Sequence, residues 1–308
     1  MGRVQTIDDE ARRAAAAQGL DGELEPLPGE ADRNYRVGDH VLKLHAPGFE
    51  PAVLGLQDAA MEHVAAAGLA VATPRLVRSA ELEGGSIARV LTWLPGTPWA
   101  AAPRGPEALR SLGRAVAAVD AALAGFEHPG LERALRWDML RAAELRGAAP
   151  QADPVLERFA GRVLPALREL PAQAIHNDAN EHNVLVGDDG RVSGLIDFGD
   201  VCRGPRVCGL AVACAYAMTA LDVPEREVLP LVAGYHEVAP LRPEELALLP
   251  DLVRTRLAVS VAMAALQRAE QPENEYLLIS QQGVGGLLAR LGAEPPELEL
   301  LRLRDACG

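Results

Sequence analysis

An α+β chain folded as two lobes, a small strand-rich lobe followed by a larger and mainly helical one, is the architecture this sequence predicts. Three observations lead there. Short β-type segments cluster before residue 95, helical periodicity dominates after it, and a Pro95-Gly96 step separates the two textures. The expected lobes are residues 1–95 and 96–308.

The elements follow in order. The stretch to about Gly22 is Ala-rich and reads as a helix. Asn34 to Val37 and Val41 to Leu44 read as strands joined by a tight turn at Gly38-Asp39. Pro51 to Ala67 reads as a helix ended by Gly68. Pro74 to Val77 and Ser86 to Leu94 read as further strands around a Glu83-Gly84-Gly85 turn. From Glu107 to Ala124 the residues Leu109, Leu112, Val116, Val119 and Leu123 recur at steps of three and four, the apolar face of an amphipathic helix, with Pro106 in its first turn. Ala134–Leu145 and Pro154–Leu170 read as helices. A short β segment spans Ala174 to Phe198, and helices fill most of the rest to about Leu303.

Composition narrows the function. Hydrophobic residues make up 49% of the 308 and charged residues 24%, so a globular core can form. A net charge of −13 argues against nucleic acid or an anionic membrane as partner. It leaves room for a nucleotide, whose phosphates need only a few local cations and N–H groups. No pair among Cys202, Cys208, Cys214 and Cys307 has the C-x-x-C spacing of a zinc site, so they read as small core residues. The charged N-terminal stretch has no apolar signal core and no apolar run reaches membrane length, which points to the cytoplasm.

The chemistry concentrates in His176-Asn177-Asp178-Ala179-Asn180-Glu181-His182-Asn183 and in Ile196-Asp197-Phe198-Gly199-Asp200. Asp178 and Asn183 lie five residues apart on one loop, and Asp197 ends the return strand of the following hairpin. Three oxygen ligands around one small site suit phosphoryl transfer, which needs a base for the acceptor hydroxyl and hard oxygen donors for Mg²⁺. Taken singly, Asp178 and Asn183 could form an Asx-rich turn capping a helix and Asp197 a strand-ending turn; the joint spacing favours chemistry. Asp178-x-x-x-x-Asn183 and Asp197-Phe198-Gly199 match the kinase catalytic loop and D-F-G motif.

On these residues, and on Leu210 to Met218 and Gly29 to Tyr35, the chain resembles the aminoglycoside phosphotransferase and choline kinase superfamily, with its hydroxylysine kinase-like members the nearest in likeness. The resemblance implies a bilobal protein-kinase-like fold and transfer of a phosphoryl group from ATP or GTP to a small amino alcohol or hydroxy amino acid such as 5-hydroxylysine. It makes Asp178 the base and Asn183 and Asp197 the Mg²⁺ ligands. Aminoglycoside, homoserine and choline-type acceptors are alternatives within the class. A silent kinase fold kept for binding and an adenylate-transferring enzyme are alternatives outside it.

For the nucleotide, Lys43 is the sole lysine of the chain and sits among Val41, Leu42 and Leu44, as a phosphate-reaching strand lysine does. The helix position that pairs with it holds Gln57 in place of the family's glutamate, with Glu62 as a second choice. Gly29, Asp32, Arg33 and Asn34 would cover the phosphates, and the backbone of Thr92, Trp93 and Leu94 would bond the base. His176 would brace the catalytic loop. For an acceptor ammonium the candidates are Asp200, Trp137 and Asp138, with Tyr216 further out; Arg203 and Arg206 are candidates for an acceptor carboxylate. Gly209 stands where related kinases often carry an acid. The expected partners are thus a nucleotide triphosphate and a small hydroxylated amine.

Overall fold

The computed structural model describes residues 9–29, 32–270, 276–291 and 296–308. Helix α1 (Asp9–Ala17) precedes a five-stranded antiparallel sheet of β1 (Glu25–Leu27), β2 (Arg33–Val37), β3 (His40–His45), β4 (Leu76–Glu81) and β5 (Ile87–Thr92), ordered β1-β2-β3-β5-β4. Helix α2 (Pro51–Ala66) crosses between β3 and β4. Side chains alternate along a strand. On β3, Leu42 and Leu44 therefore face the same way and pack with Tyr35, Val37, Ala88 and Val90 under Ala11, Ala14 and Ala15 of α1. Lys43 is left on the opposite face, opposite Asn34 on one neighbouring strand and Arg89 on the other.

The remainder is mostly helical. After β6 (Thr97–Pro98) comes α3 (Pro106–Leu123), whose five periodic apolar residues are all buried; each is worth about 1.5–3 kcal/mol on burial. Residues Met139–Leu145 form a 3₁₀ turn where an α-helix is expected from sequence. The expected Pro154–Leu170 helix is split into α4 (Asp153–Arg158), a π-helical turn at Phe159–Val163 and α5 (Leu164–Arg168). Strand β7 (Ala172–Ile175) leads to the loop of interest. The hairpin β8 (Val184–Val186) and β9 (Val192–Leu195) pairs with β6, while β10 (Cys202–Pro205) pairs with β7. Then follow α6 (Arg206–Met218), α7 (Pro224–Glu227), α8 (Leu229–Val238), α9 (Pro243–Glu270), α10 (Tyr276–Arg290) and α11 (Pro296–Ala306). Among the described residues no helix is long and apolar enough to cross a membrane.

Two close contacts set the helical core. A Cβ on Gly113 of α3 would overlap the Leu231 carbonyl of α8, and one on Gly234 would overlap the Arg110 carbonyl, so the two helices meet backbone to backbone. Beside them, Gly209 of α6 leaves space filled by a carboxylate from another helix: a Cβ there would lie 3.4 Å from both oxygens of Asp120. Asp120 accepts the Tyr235 hydroxyl at 2.8 Å, and burial pushes its pKa up to about 7. The cysteines carry no disulfide; Cys202, Cys208 and Cys214 are core residues and Cys307 is half-buried.

Candidate active site

Strand β7 delivers His176 to Asn183 as a loop closed on itself. Asn177 adopts a left-handed conformation, φ 64°, which Asn tolerates better than most residues. It is held there by donating to the Trp137 carbonyl at 3.2 Å. His176 accepts the Asp178 N–H at Nδ1, 3.3 Å away, and stands edge-on to Phe198 with ring centroids 4.7 Å apart. Burial lowers its pKa to about 4, so it is a neutral brace at neutral pH.

The Asp178 carboxylate is surrounded by donors. Asn180 Nδ2 lies 3.0 Å from each oxygen, and Asn183 Nδ2 donates to Oδ2 at 2.6 Å. Asn183 also donates to the Asp178 carbonyl at 3.0 Å. With its amide nitrogen so engaged, Asn183 has its oxygen left as the end able to meet a cation. Asn180 Oδ1 in turn accepts the N–H groups of His182 and Asn183, an organising role that the sequence motif alone does not separate from its neighbours. Burial and the charge of Asp200 drive the Asp178 pKa well above the carboxylate range, and Arg256 opposes them.

Asp197 ends the hairpin in a second left-handed conformation, φ 62° and ψ 88°, and accepts the Gly199 N–H at 2.9 Å. Arg133 supports this turn by donating to the Gly199 and Val201 carbonyls. Lys43 Nζ reaches Asp197 Oδ2 at 3.5 Å across 154 residues of sequence. That charge holds the Asp197 pKa below its ordinary value. The donor set of Asp197 and Asn183 is made of hard oxygens, the chemistry that Mg²⁺ takes.

Several expectations change. Lys43 does not pair with Gln57 or Glu62. Its other partner is Asp32, at 3.8 Å, which also bonds His45 Nδ1 at 2.8 Å. The reason is Arg89, directly across from Lys43 on β5: it takes Gln57 Oε1 at 2.8 Å and the Asp58 carboxylate, so the α2 side chains stop one strand short. Gln57 is therefore a partner of Arg89 and not of Lys43. Asn34 lies beside Lys43 in the ladder and donates to the Pro28 carbonyl. Arg33 turns away to Glu10. Of the expected phosphate-covering turn, Glu30 and Ala31 lie outside the described residues. The N–H groups of Thr92 and Trp93 bond the Arg75 and Asp39 carbonyls, so these two donors are not available to a base; Arg36 covers the Trp93 ring at 4.5 Å. Leu94 packs at Gly194 on β9.

On the acceptor side, Asp138 caps the 139–145 turn by accepting the Leu140 N–H at 2.9 Å. One face of Trp137 is occupied by Arg256, 4.6 Å from the ring centroid. Arg203 pairs with Glu127 and Glu132. Arg206 forms a two-pronged pair with Glu245 at 2.9 and 2.8 Å. Neither arginine is a free carboxylate ligand. Arg256, which sequence reasoning missed, is the one that meets Asp178, at 3.3 Å.

The comparisons agree with this geometry. The family model of the phosphotransferase enzyme family (APH) matches residues 23–249. A hydroxylysine kinase of Danio rerio is 31% identical over 84% of this chain and 83% of its own length. A homoserine kinase of Methylobacterium sp. is 33% identical over 71% of this chain and 70% of its own. Among solved structures, a microcompartment-associated aminopropanol kinase superposes with a TM-score of 0.68 at 19% identity, covering 96% of this chain and all of that one; this supports the protein-kinase-like fold. The chain belongs to the phosphotransferase enzyme family and is a small-molecule kinase.

Proposed function

We propose that the protein transfers the γ-phosphoryl group of ATP or GTP to the hydroxyl of a small hydroxy amino acid or amino alcohol, 5-hydroxylysine being the first candidate. The observation that carries this reading is the meeting of Lys43 with Asp197 at 3.5 Å, beside an Asp178–Asn183 pair joined at 2.6 Å. Residues 154 apart in sequence thereby frame one small polar site. In this reading the lobe before residue 96 holds the nucleotide and the remainder binds the acceptor.

Asn183 and Asp197 would hold Mg²⁺, which when bound neutralises charge on the phosphates. Lys43 exchanges part of its pairing with Asp32 and Asp197 for phosphate oxygens. Asp178, held by Asn180 and Asn183, orients the acceptor hydroxyl and takes its proton as the new O–P bond forms. Asp200, whose charge acts on Asp178, is the candidate for the acceptor ammonium. Relatives described as hydroxylysine and homoserine kinases act, by those names, on amino acids bearing a hydroxyl, which supports that acceptor class.

The test is ADP or GDP release from the magnesium nucleotide across 5-hydroxylysine, homoserine, ethanolamine, choline and an aminoglycoside. Stimulation by 5-hydroxylysine above the others is expected. Stimulation by homoserine or an aminoglycoside alone would reassign the acceptor, and pyrophosphate release would replace kinase chemistry with adenylate transfer.

A further inference from the structure

The catalytic loop has a partner that lies outside every motif. Arg256, on α9, is only 1% exposed. Its guanidinium lies 4.6 Å from the Trp137 ring centroid and 5.4 Å from that of Tyr216. Aromatic faces attract a guanidinium but accept no strong in-plane hydrogen bond, so they fix its plane and leave its edges to choose partners. Those edges go to the Trp137 carbonyl (Nη1, 3.3 Å) and to Asp178 Oδ1 (Nη2, 3.3 Å). The same Trp137 carbonyl accepts Asn177, the residue before Asp178, so loop and arginine share an anchor. The Tyr216 hydroxyl is tied to Ser260 at 2.9 Å, one turn further along α9.

We infer that Arg256 is a positioning residue for Asp178, clamping one carboxylate oxygen while Asn183 clamps the other. This rests on the reading of Asp178 as base. Rotation of the carboxylate is then blocked from both sides, and its buried charge is answered by a cation that never leaves the site. A lysine could not do the same, because an ammonium has no planar fork to lie between two rings and still reach Asp178 edge-on. The arrangement also explains why Arg256 is invisible to motif reading: it acts on the loop from a helix 78 residues downstream.

The experiment compares wild type, Arg256→Gly, Arg256→Lys and Trp137→Leu in steady-state ADP release, with 5-hydroxylysine and with its decarboxylated counterpart. If neither compound is phosphorylated, the same readout is taken on transfer to water. Arg256→Gly is expected to lower kcat about a hundredfold, the scale of a misplaced reacting group. The nucleotide KM should stay unchanged, the loss should be equal for both acceptors, and added guanidinium ion should restore part of kcat. Arg256→Lys should not restore it. Trp137→Leu, which removes one stacking face, should show the same pattern to a smaller degree and keeps the test alive if Arg256→Gly does not fold. A loss confined to the KM of the carboxylate-bearing acceptor would make Arg256 a substrate ligand and overturn the inference. Lowered melting temperature with kcat intact would reduce it to a packing residue and overturn it equally. Asp178→Ala is run alongside: if it keeps its activity, the base assignment fails whatever Arg256 does.

Discussion

Two arginines are buried to the same degree, Arg89 in the sheet and Arg256 in the helical part, each 1% exposed, yet their surroundings differ in kind. Arg89 is answered by polar groups of a neighbouring helix, Gln57 and Asp58, and touches none of the candidate catalytic residues. Arg256 lies against two aromatic faces and divides its hydrogen bonds between the Trp137 carbonyl and Asp178. A buried cation answered by an amide and a carboxylate of one helix fastens that helix to a sheet. One stacked between rings can be directed at a single carboxylate. The same contrast separates the parts of the site. The loop from His176 to Asn183 is knit by bonds of 2.6 to 3.3 Å, whereas Lys43 is held only by ion pairs of 3.5 and 3.8 Å. One part is preorganised and the other can yield to an incoming phosphate.

The comparison can be broken most directly at the loop. Asp178→Ala should reduce kcat roughly 10³-fold, the scale of a general base, while nucleotide affinity measured by titration calorimetry stays unchanged. A parallel loss of nucleotide binding would mean that the loop and the Lys43 side are not separable.

The next effect concerns a buried acid that a tyrosine hydroxyl hydrogen-bonds and on which Arg206 acts only through its charge. Asp120 has its pKa raised by burial from 3.8 to about 7. The folded form therefore keeps a proton that the unfolded chain releases above pH 4. The stability linked to this group is complete below about pH 4 and declines as pH rises toward 7. Urea unfolding at pH 5 and pH 8 should show it as a loss of about 2–3 kcal/mol in wild type, absent in Asp120→Asn.

Arg89→Met should cost about 2 kcal/mol in denaturant unfolding, below the 3–5 kcal/mol of a fully buried broken pair, because Asp58 keeps contact with solvent. Its kcat should match wild type. A fall in kcat with stability unchanged would erase the distinction between the two arginines. Smallest is Lys43→Ala, expected to raise the nucleotide KM about tenfold, or ~1.4 kcal/mol, with the acceptor KM unaffected.

The strand-rich and helical halves were legible because amphipathic spacing is local: the Leu109 to Leu123 face of α3 is buried as its period requires. The loop was legible for the same reason, since Asp178 and Asn183 are five residues apart and touch. What failed was non-local. Gln57 lost Lys43 to a competitor on the adjacent strand, a matter of ladder register. Arg203 and Arg206 looked free but are matched by glutamates 71 and 39 residues away. Arg256 sits in a long helix whose sequence gives no sign that its cation faces inward. The turn at Met139–Leu145 carries an α-helical composition but closes in the tighter 3₁₀ pattern.

Lys43 is the only lysine in 308 residues, and it stands where the sheet meets Asp197. Growth on isotope-labelled lysine would give a spectrum with one side-chain signal, and that signal would come from this junction. An amine-directed reagent would likewise find a single ε-amino group, so nucleotide occupancy could be followed as its protection. A chain that uses arginine for every other cation thus carries its own site-specific reporter without any engineered label.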